Sequence, residues 1–239
     1  MFTETEFTAT TAEIQIQEKL AVFLAFLAGY LDAVGILKWK IYVSFMSGNT
    51  TQLGVALSTA KSTVIITTFI VIACFMLGIY SGTCLSLWKN SKTQKLPFYM
   101  VSGILIVYTG LAKYYNISTL LSIAIIGFST GIMNTIVTAV GNQKINTDFV
   151  TGTLNSLARN TAMLKMSSDK TNKKIYKLNA IRLLLLWIGF ISGAFTAPFA
   201  LVKLGNWTVI LPAIALIICA VLVPIEEINL KNKSYATEK

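Results

Sequence analysis

TVIITTFIVIACFMLGIYSGTCLSLW, residues 63–88, runs for 26 residues without a charged side chain. As a helix it rises about 39 Å at 1.5 Å per residue, enough to cross a hydrocarbon layer of ~30 Å. The run is continuously apolar rather than alternating. A helix, which satisfies its own backbone in lipid, is therefore expected instead of a barrel strand.

Five further apolar runs flank it. Residues 20–37 are interrupted only by Asp32, residues 97–117 carry Lys113 near their end, and residues 117–140 carry no charge. Residues 181–202 begin beside Arg182, and residues 204–225 are closed by Glu226 and Glu227. The whole chain of 239 residues is 54% hydrophobic and 13% charged, about half the charge of a soluble domain. Two segments, residues 48–60 and 152–164, are helix-forming but half polar and short. Thirteen residues reach only about 20 Å, so these segments are expected as half-helices, re-entrant or lying at the interface.

Loop charge sets the expected orientation. With six crossings, residues 1–19, 89–96, 141–180 and 226–239 share one face and carry most of the 20 Lys and Arg residues. The other face holds only Lys38, Lys40, Lys61, Lys113 and Lys203. The positive-inside bias then puts both termini in the cytoplasm. Eight crossings would weaken that asymmetry. Residues 1–19 carry Glu4, Glu6, Glu13 and Glu18 where a signal peptide needs basic residues, so the first apolar run is expected to remain as a membrane helix.

The two halves resemble one another. Gly29-Tyr30-Leu31-Asp32 echoes Gly131-Ile132-Met133-Asn134 at an offset of 102. The segment from Ser44 to Thr50 echoes that from Asp148 to Leu154 at 104, and Leu53 and Leu157 keep that spacing. Gly78-x-x-Ser81-Gly82 echoes Gly189-x-x-Ser192-Gly193 at 111. Three crossings per half would make the second half enter from the opposite face. The expected fold is therefore an all-α polytopic membrane protein. It has about six transmembrane helices plus two short half-helices, as two inverted three-helix repeats. Its parts are a cytoplasmic N-terminal segment 1–19, a first repeat 20–117, a second repeat 118–225 and a cytoplasmic tail 226–239.

The stretch AGYLDAVGILKWKIYVSFMSGNTTQLGVAL, residues 28–57, resembles the signature of the YoaK-like family of bacterial inner-membrane proteins of unknown function. Residues 131–158, with Asn134 and DFVTGTLNSLA, resemble that family's second signature. Met133 stands before Asn134, and residues 135–139 contain no Arg, which departs from the family pattern. The resemblance implies an inner-membrane location and a fold, and no substrate.

Asp32 is the one acidic residue inside an expected crossing. A carboxylate at a helix centre costs on the order of 2.5–3.5 kcal/mol on insertion scales, so it should face the bundle interior. It is a candidate cation or proton site, or else a cap on the adjoining half-helix. Ser47, Gly48, Asn49, Thr50 and Thr51 read as a helix start whose dipole end could meet a polar or anionic solute, and Thr151, Gly152 and Thr153 as its counterpart. The alternative is ordinary capping at a surface turn. Asn134, the counterpart of Asp32, is a candidate ligand or an interhelical hydrogen bonder. Arg182 is a candidate charge partner for Asp32 or a solute, or a residue snorkelling to headgroups. Pro198 and Pro212 are expected to kink their helices.

These candidates suit a secondary transporter. A channel or a non-transporting accessory or sensor protein is the alternative. The chain contains no His, and its three Cys (Cys74, Cys84, Cys219) lie inside apolar runs, so no enzyme, metal site or cofactor is expected. The net charge of +10 is expected to meet lipid headgroups, with Lys170, Lys173, Lys174 and Lys177 as a basic patch, and not nucleic acid.

Overall fold

The computed structural model describes residues 11–87, 95–137, 139–140, 143–144 and 150–223. The chain forms α1 (Thr11–Trp39), α2 (Met46–Ser58), α3 (Ser62–Leu87), α4 (Leu96–Tyr114) and α5 (Thr119–Met133). A two-residue antiparallel pair follows, β1 (Ala139–Val140) with β2 (Gln143–Lys144). Then come α6 (Val150–Met166), α7 (Lys170–Leu204), a 3₁₀ turn (Gly205–Val209) and α8 (Ile210–Leu222). The fold is helical, and four stretches are long and apolar enough to cross a membrane: Ile14–Trp39, Ser62–Leu87, Leu96–Tyr114 and Lys170–Leu222. The last comprises α7, the turn and α8 together. Helix α5, at 15 residues, is apolar but shorter.

Several boundaries differ from the sequence expectation, for local reasons. Helix α1 begins inside the N-terminal segment 1–19. Helix α5 ends at Met133, seven residues before the end of the apolar run 117–140, and β1 takes up the end of that run. Gly205, at φ +54°, breaks the run 204–225 and starts the turn before α8. Pro212 does not interrupt α8. It sits in the first turn, where the backbone N–H that proline lacks has no intrahelical acceptor. Pro198 lies inside α7, which continues past it to Leu204.

Helix α1 is the axis of the bundle: 67% of its apolar window is buried, against 22% for α3. Leu24, Leu31 and Val34 of α1 share a core with Phe98, Val101 and Leu105 of α4, Ile126 and Met133 of α5, and Leu216 of α8. Helix α3 instead turns Ile66, Phe69, Met76, Leu77 and Tyr80 outward, as a lipid-facing helix does.

Two helix pairs approach until their backbones touch. Helices α1 and α7 run side by side in the same direction. Glu18 meets Arg182, the Val22 carbonyl faces Gly189, and the Phe26 carbonyl faces Gly193. Helices α3 and α5 also run in parallel, with Val71 beside Gly127, Phe75 beside Gly131 and Gly82 beside Thr135. A Cβ added at Gly29 would overlap the Phe190 carbonyl, and one at Gly193 the Phe26 carbonyl. A Cβ at Gly131 would overlap the Phe75 carbonyl, and one at Gly78 the Phe128 carbonyl. Such close crossings are how helices gain packing energy in lipid, where burial offers no hydrophobic drive. Helices α4 and α8 form the third pair, while α2 lies on α3 and α6 on α7.

One end of the bundle gathers the last turns of α1 and α4 and the turn before α8. Lys38 Nζ donates to Asn206 Oδ1 at 2.9 Å, and Lys113 lies 5.4 Å from the Trp207 ring centre. Tyr30 donates its hydroxyl to the Thr208 carbonyl at 3.0 Å. Lysines over aromatic rings at helix ends are the usual furniture of a membrane interface.

Candidate functional site

The connection from α1 to α2 is a short irregular segment, residues 40–45, packed against α1 and α5 with Ile41, Val43 and Ser44 buried. Lys40 adopts a positive φ of 60°, which turns the chain back along α1. Irregular backbone inside a membrane bundle is tolerated only where its polar groups find partners. Here side chains supply them.

Asp32 is 3% exposed and lies against this segment. Its Oδ1 accepts the backbone N–H of Val43 at 2.8 Å and of Ser44 at 2.7 Å, and its Oδ2 accepts the Ser44 hydroxyl at 2.7 Å. Asn49, fully buried on α2, reaches back to Tyr42. Its Nδ2 donates to the Tyr42 carbonyl at 2.7 Å, and its Oδ1 accepts the Tyr42 N–H at 3.3 Å. Thr130 of α5 donates to the Val43 carbonyl at 2.6 Å. Three helices thus fix residues 42–44 through one carboxylate, one amide and one hydroxyl. Asp32 accepts three of these hydrogen bonds, against two made by Asn49 and one by Thr130, which makes it the dominant anchor.

The capping alternative for Asp32 is close to what is observed, displaced by a few residues. The carboxylate holds the N–H groups just before α2, and not those of its first turn. Phe45 stands at the cap position of α2 without a side-chain hydrogen bond. The Thr50 and Thr51 hydroxyls donate back to the Met46 and Ser47 carbonyls at 2.8 and 3.1 Å. Ser47, Thr50 and Thr51 are exposed. Gly48 leaves room for the Phe45 ring, which packs edge-on against Tyr42 at 5.2 Å.

The second-repeat candidates lie elsewhere. Asn134 is the residue at which α5 ends, and it is half-buried. Thr151 is exposed, and Gly152 and Thr153 are half-buried, in the first turn of α6. The segment 145–149, which includes Asp148 and Phe149, lies outside the described residues. Asp32 and Asn49 converge on one backbone segment, whereas Thr151, Gly152 and Thr153 ride on the helix that packs against α7.

Arg182 is a correction to the expected pairing. It forms an ion pair with Glu18 and faces Asn179 at 3.5 Å. The parallel run of α1 and α7 brings it level with residue 18, more than three helical turns from Asp32 along α1. Asp32 has no basic partner among the described residues. Thr130, Tyr42 and Val43 were not singled out by sequence. Tyr42 and Val43 act through backbone atoms, which sequence does not mark. Thr130 falls opposite Ala28 in the 102-residue register, so the repeat gives no hint of it. Among the described residues no group of three His, Cys, Asp or Glu side chains is placed to hold a metal, and Cys74, Cys84 and Cys219 are unbridged.

Sequence comparison places the chain. The family described as "Protein of unknown function (DUF1275)" matches residues 20–222, and the chain belongs to it. It is similar to the UPF0700 transmembrane protein YoaK of Bacillus subtilis (strain 168), 25% identical over 189 residues, covering 75% of this chain and 83% of that protein. It is equally similar to the UPF0700 transmembrane protein RA0705 of Rhizobium meliloti (strain 1021), 25% identical over 196 residues, covering 82% of this chain and 81% of that one. No solved structure matches the chain. The apolar helices and these relatives together define a multi-pass membrane protein of the YoaK-like family.

Proposed function

We propose that this chain is a small secondary transporter of the bacterial inner membrane, built from two inverted repeats and carrying a small polar or anionic solute between them. The observation that carries the reading is the exchange of glycine contacts. Phe26 and Gly29 on α1 correspond to Phe128 and Gly131 on α5 at 102 residues. Phe75 and Gly78 on α3 correspond to Phe190 and Gly193 on α7 at 115. The two closest contacts of one crossing, Gly29 with the Phe190 carbonyl and Gly193 with the Phe26 carbonyl, have their counterparts in the other, Gly131 with the Phe75 carbonyl and Gly78 with the Phe128 carbonyl. A two-fold relation between halves produces this pattern, and chance packing has no reason to. The contacts align Gly78 with Gly193, one helical turn from the sequence register that aligned it with Gly189.

In this reading each rigid pair mixes the repeats. Helices α1, α6 and α7 form one body, α2, α3 and α5 the other, and the 40–45 segment lies on the seam. Asp32 holds the seam in place. The exposed hydroxyls of Ser47, Thr50 and Thr51 on α2 and of Thr151 on α6 are the groups offered to a solute, from opposite ends. Both termini are cytoplasmic, the solvating partner is lipid, and the chain is not an enzyme.

A non-transporting accessory or sensor role is the second reading, and one observation favours it: Asp32 already accepts hydrogen bonds from Val43 and Ser44, and Asn49 bonds both backbone groups of Tyr42. Flux separates the two. Purified protein in proteoliposomes, given a panel of isotopically labelled small polar and anionic metabolites, takes up at least one with saturating kinetics if it is a carrier. Non-saturating flux identifies a channel, and no flux across the panel from folded protein favours the accessory role.

A further inference from the structure

We infer that the groove between α1 and α7 is a binding site for one membrane phospholipid with an anionic headgroup. The inference does not depend on the transport reading. The groove encloses about 730 Å³, within the roughly 300–1,000 Å³ typical of sites for drug-sized ligands. Its walls on the outer face of the helix pair are the half-buried Val22, Phe23 and Phe26 of α1 and the exposed Leu185 and Ile188, with half-buried Ser192, of α7. Its outer end is set by Gln15, Lys19 and the Glu18–Arg182 pair.

That arrangement straddles the membrane boundary. The apolar run of α1 begins at Leu20, so Lys19 and Arg182 stand at headgroup level. Phe26 lies seven residues deeper, about 10 Å at the helical rise. A phospholipid matches both ends, its headgroup at the charged mouth and its acyl chains along the apolar wall. Charge selects the headgroup. Arg182 neutralises Glu18, which leaves Lys19, exposed, as the net charge at the groove mouth. Lys170, Lys173, Lys174 and Lys177, all exposed, occupy the turns of α7 that precede it. Basic residues at a headgroup layer attract anionic lipid.

The test is native mass spectrometry of the full chain in detergent, titrated with phosphatidylglycerol and phosphatidylcholine. The unaltered protein should retain its first phosphatidylglycerol in preference to phosphatidylcholine. Lys19→Gln should reduce that preference about fivefold, the effect of one basic residue near a lipid surface. Ser192→Trp, which fills the groove from α7, should weaken retention of both lipids. Lys19 is exposed, so Lys19→Gln tests the site even where the tryptophan variant misfolds. Equal retention of the two lipids by the unaltered chain overturns the inference, as does a preference unchanged in Lys19→Gln. So does a dimer that closes the groove and excludes both.

Discussion

Asp32 grips Ser44 at two points. One carboxylate oxygen accepts its backbone N–H at 2.7 Å and the other its hydroxyl at 2.7 Å, across a gap of twelve residues. This contact turns the most conspicuous intramembrane charge of the sequence into an anchor for the chain break beside it.

Replacing Asp32 should therefore destabilise the fold before it affects anything else. Asp32→Ala leaves the buried N–H groups of Val43 and Ser44 without acceptors, at about 1–3 kcal/mol each. Asp32→Asn keeps one oxygen that can accept both, while the Ser44 hydroxyl can turn to accept from the new amide. The thermal midpoint in detergent should fall strongly for alanine and much less for asparagine. Equal midpoints for the alanine variant and the unaltered protein would mean that these bonds do not form.

Thr130→Val removes the hydroxyl that meets the Val43 carbonyl and changes the shape little. It should cost about 1–3 kcal/mol, the penalty of a buried carbonyl left unsatisfied. Thr130→Ser should recover most of it. Urea or thermal unfolding of the two variants gives the comparison, and a valine variant as stable as the serine variant would contradict the contact.

The glycine crossings make a paired prediction. Gly193→Ala and Gly78→Ala each drive a methyl group into a backbone carbonyl, of Phe26 and Phe128 respectively. Carbonyls on packed helices cannot move aside as a side-chain tip can, so each should cost about 1–3 kcal/mol or more. Gly103→Ala and Gly110→Ala open onto free space and should be tolerated. Unfolding midpoints of the four variants should sort into those two groups.

Much of this was legible in the sequence because lipid imposes simple rules. Apolar runs of the right length became helices α1, α3, α4 and α7, and the two half-polar segments became α2 and α6. The burial of Asp32 followed from the cost of its charge in lipid. Its partners did not, because they are backbone N–H groups brought round by the Lys40 turn, and any residue supplies such a group. Polar side chains at a helix start, such as Asn49, suit solute binding or capping alike, and the bonds of Asn49 to Tyr42 depend on a chain path that sequence does not give. In the proposed repeat, the contacts pair Gly78 with Gly193 where the sequence register pairs it with Gly189. Small residues recur there every four positions, at Gly78 and Gly82 and again at Gly189 and Gly193, so sequence alone cannot choose among them. Arg182 was placed by the parallel run of α1 and α7, a long-range fact that no local pattern encodes.

The opposed orientation of the two halves is the claim on which the transporter reading rests, and sided labelling tests it most directly. Thr51→Cys on α2 and Thr151→Cys on α6, both exposed positions, would be made singly in a chain with Cys74, Cys84 and Cys219 replaced. Intact cells and inverted membrane vesicles would then be treated with a membrane-impermeant maleimide. The account predicts labelling of residue 51 from the outside and of residue 151 from the cytoplasmic side. Labelling of both from the same side would contradict it.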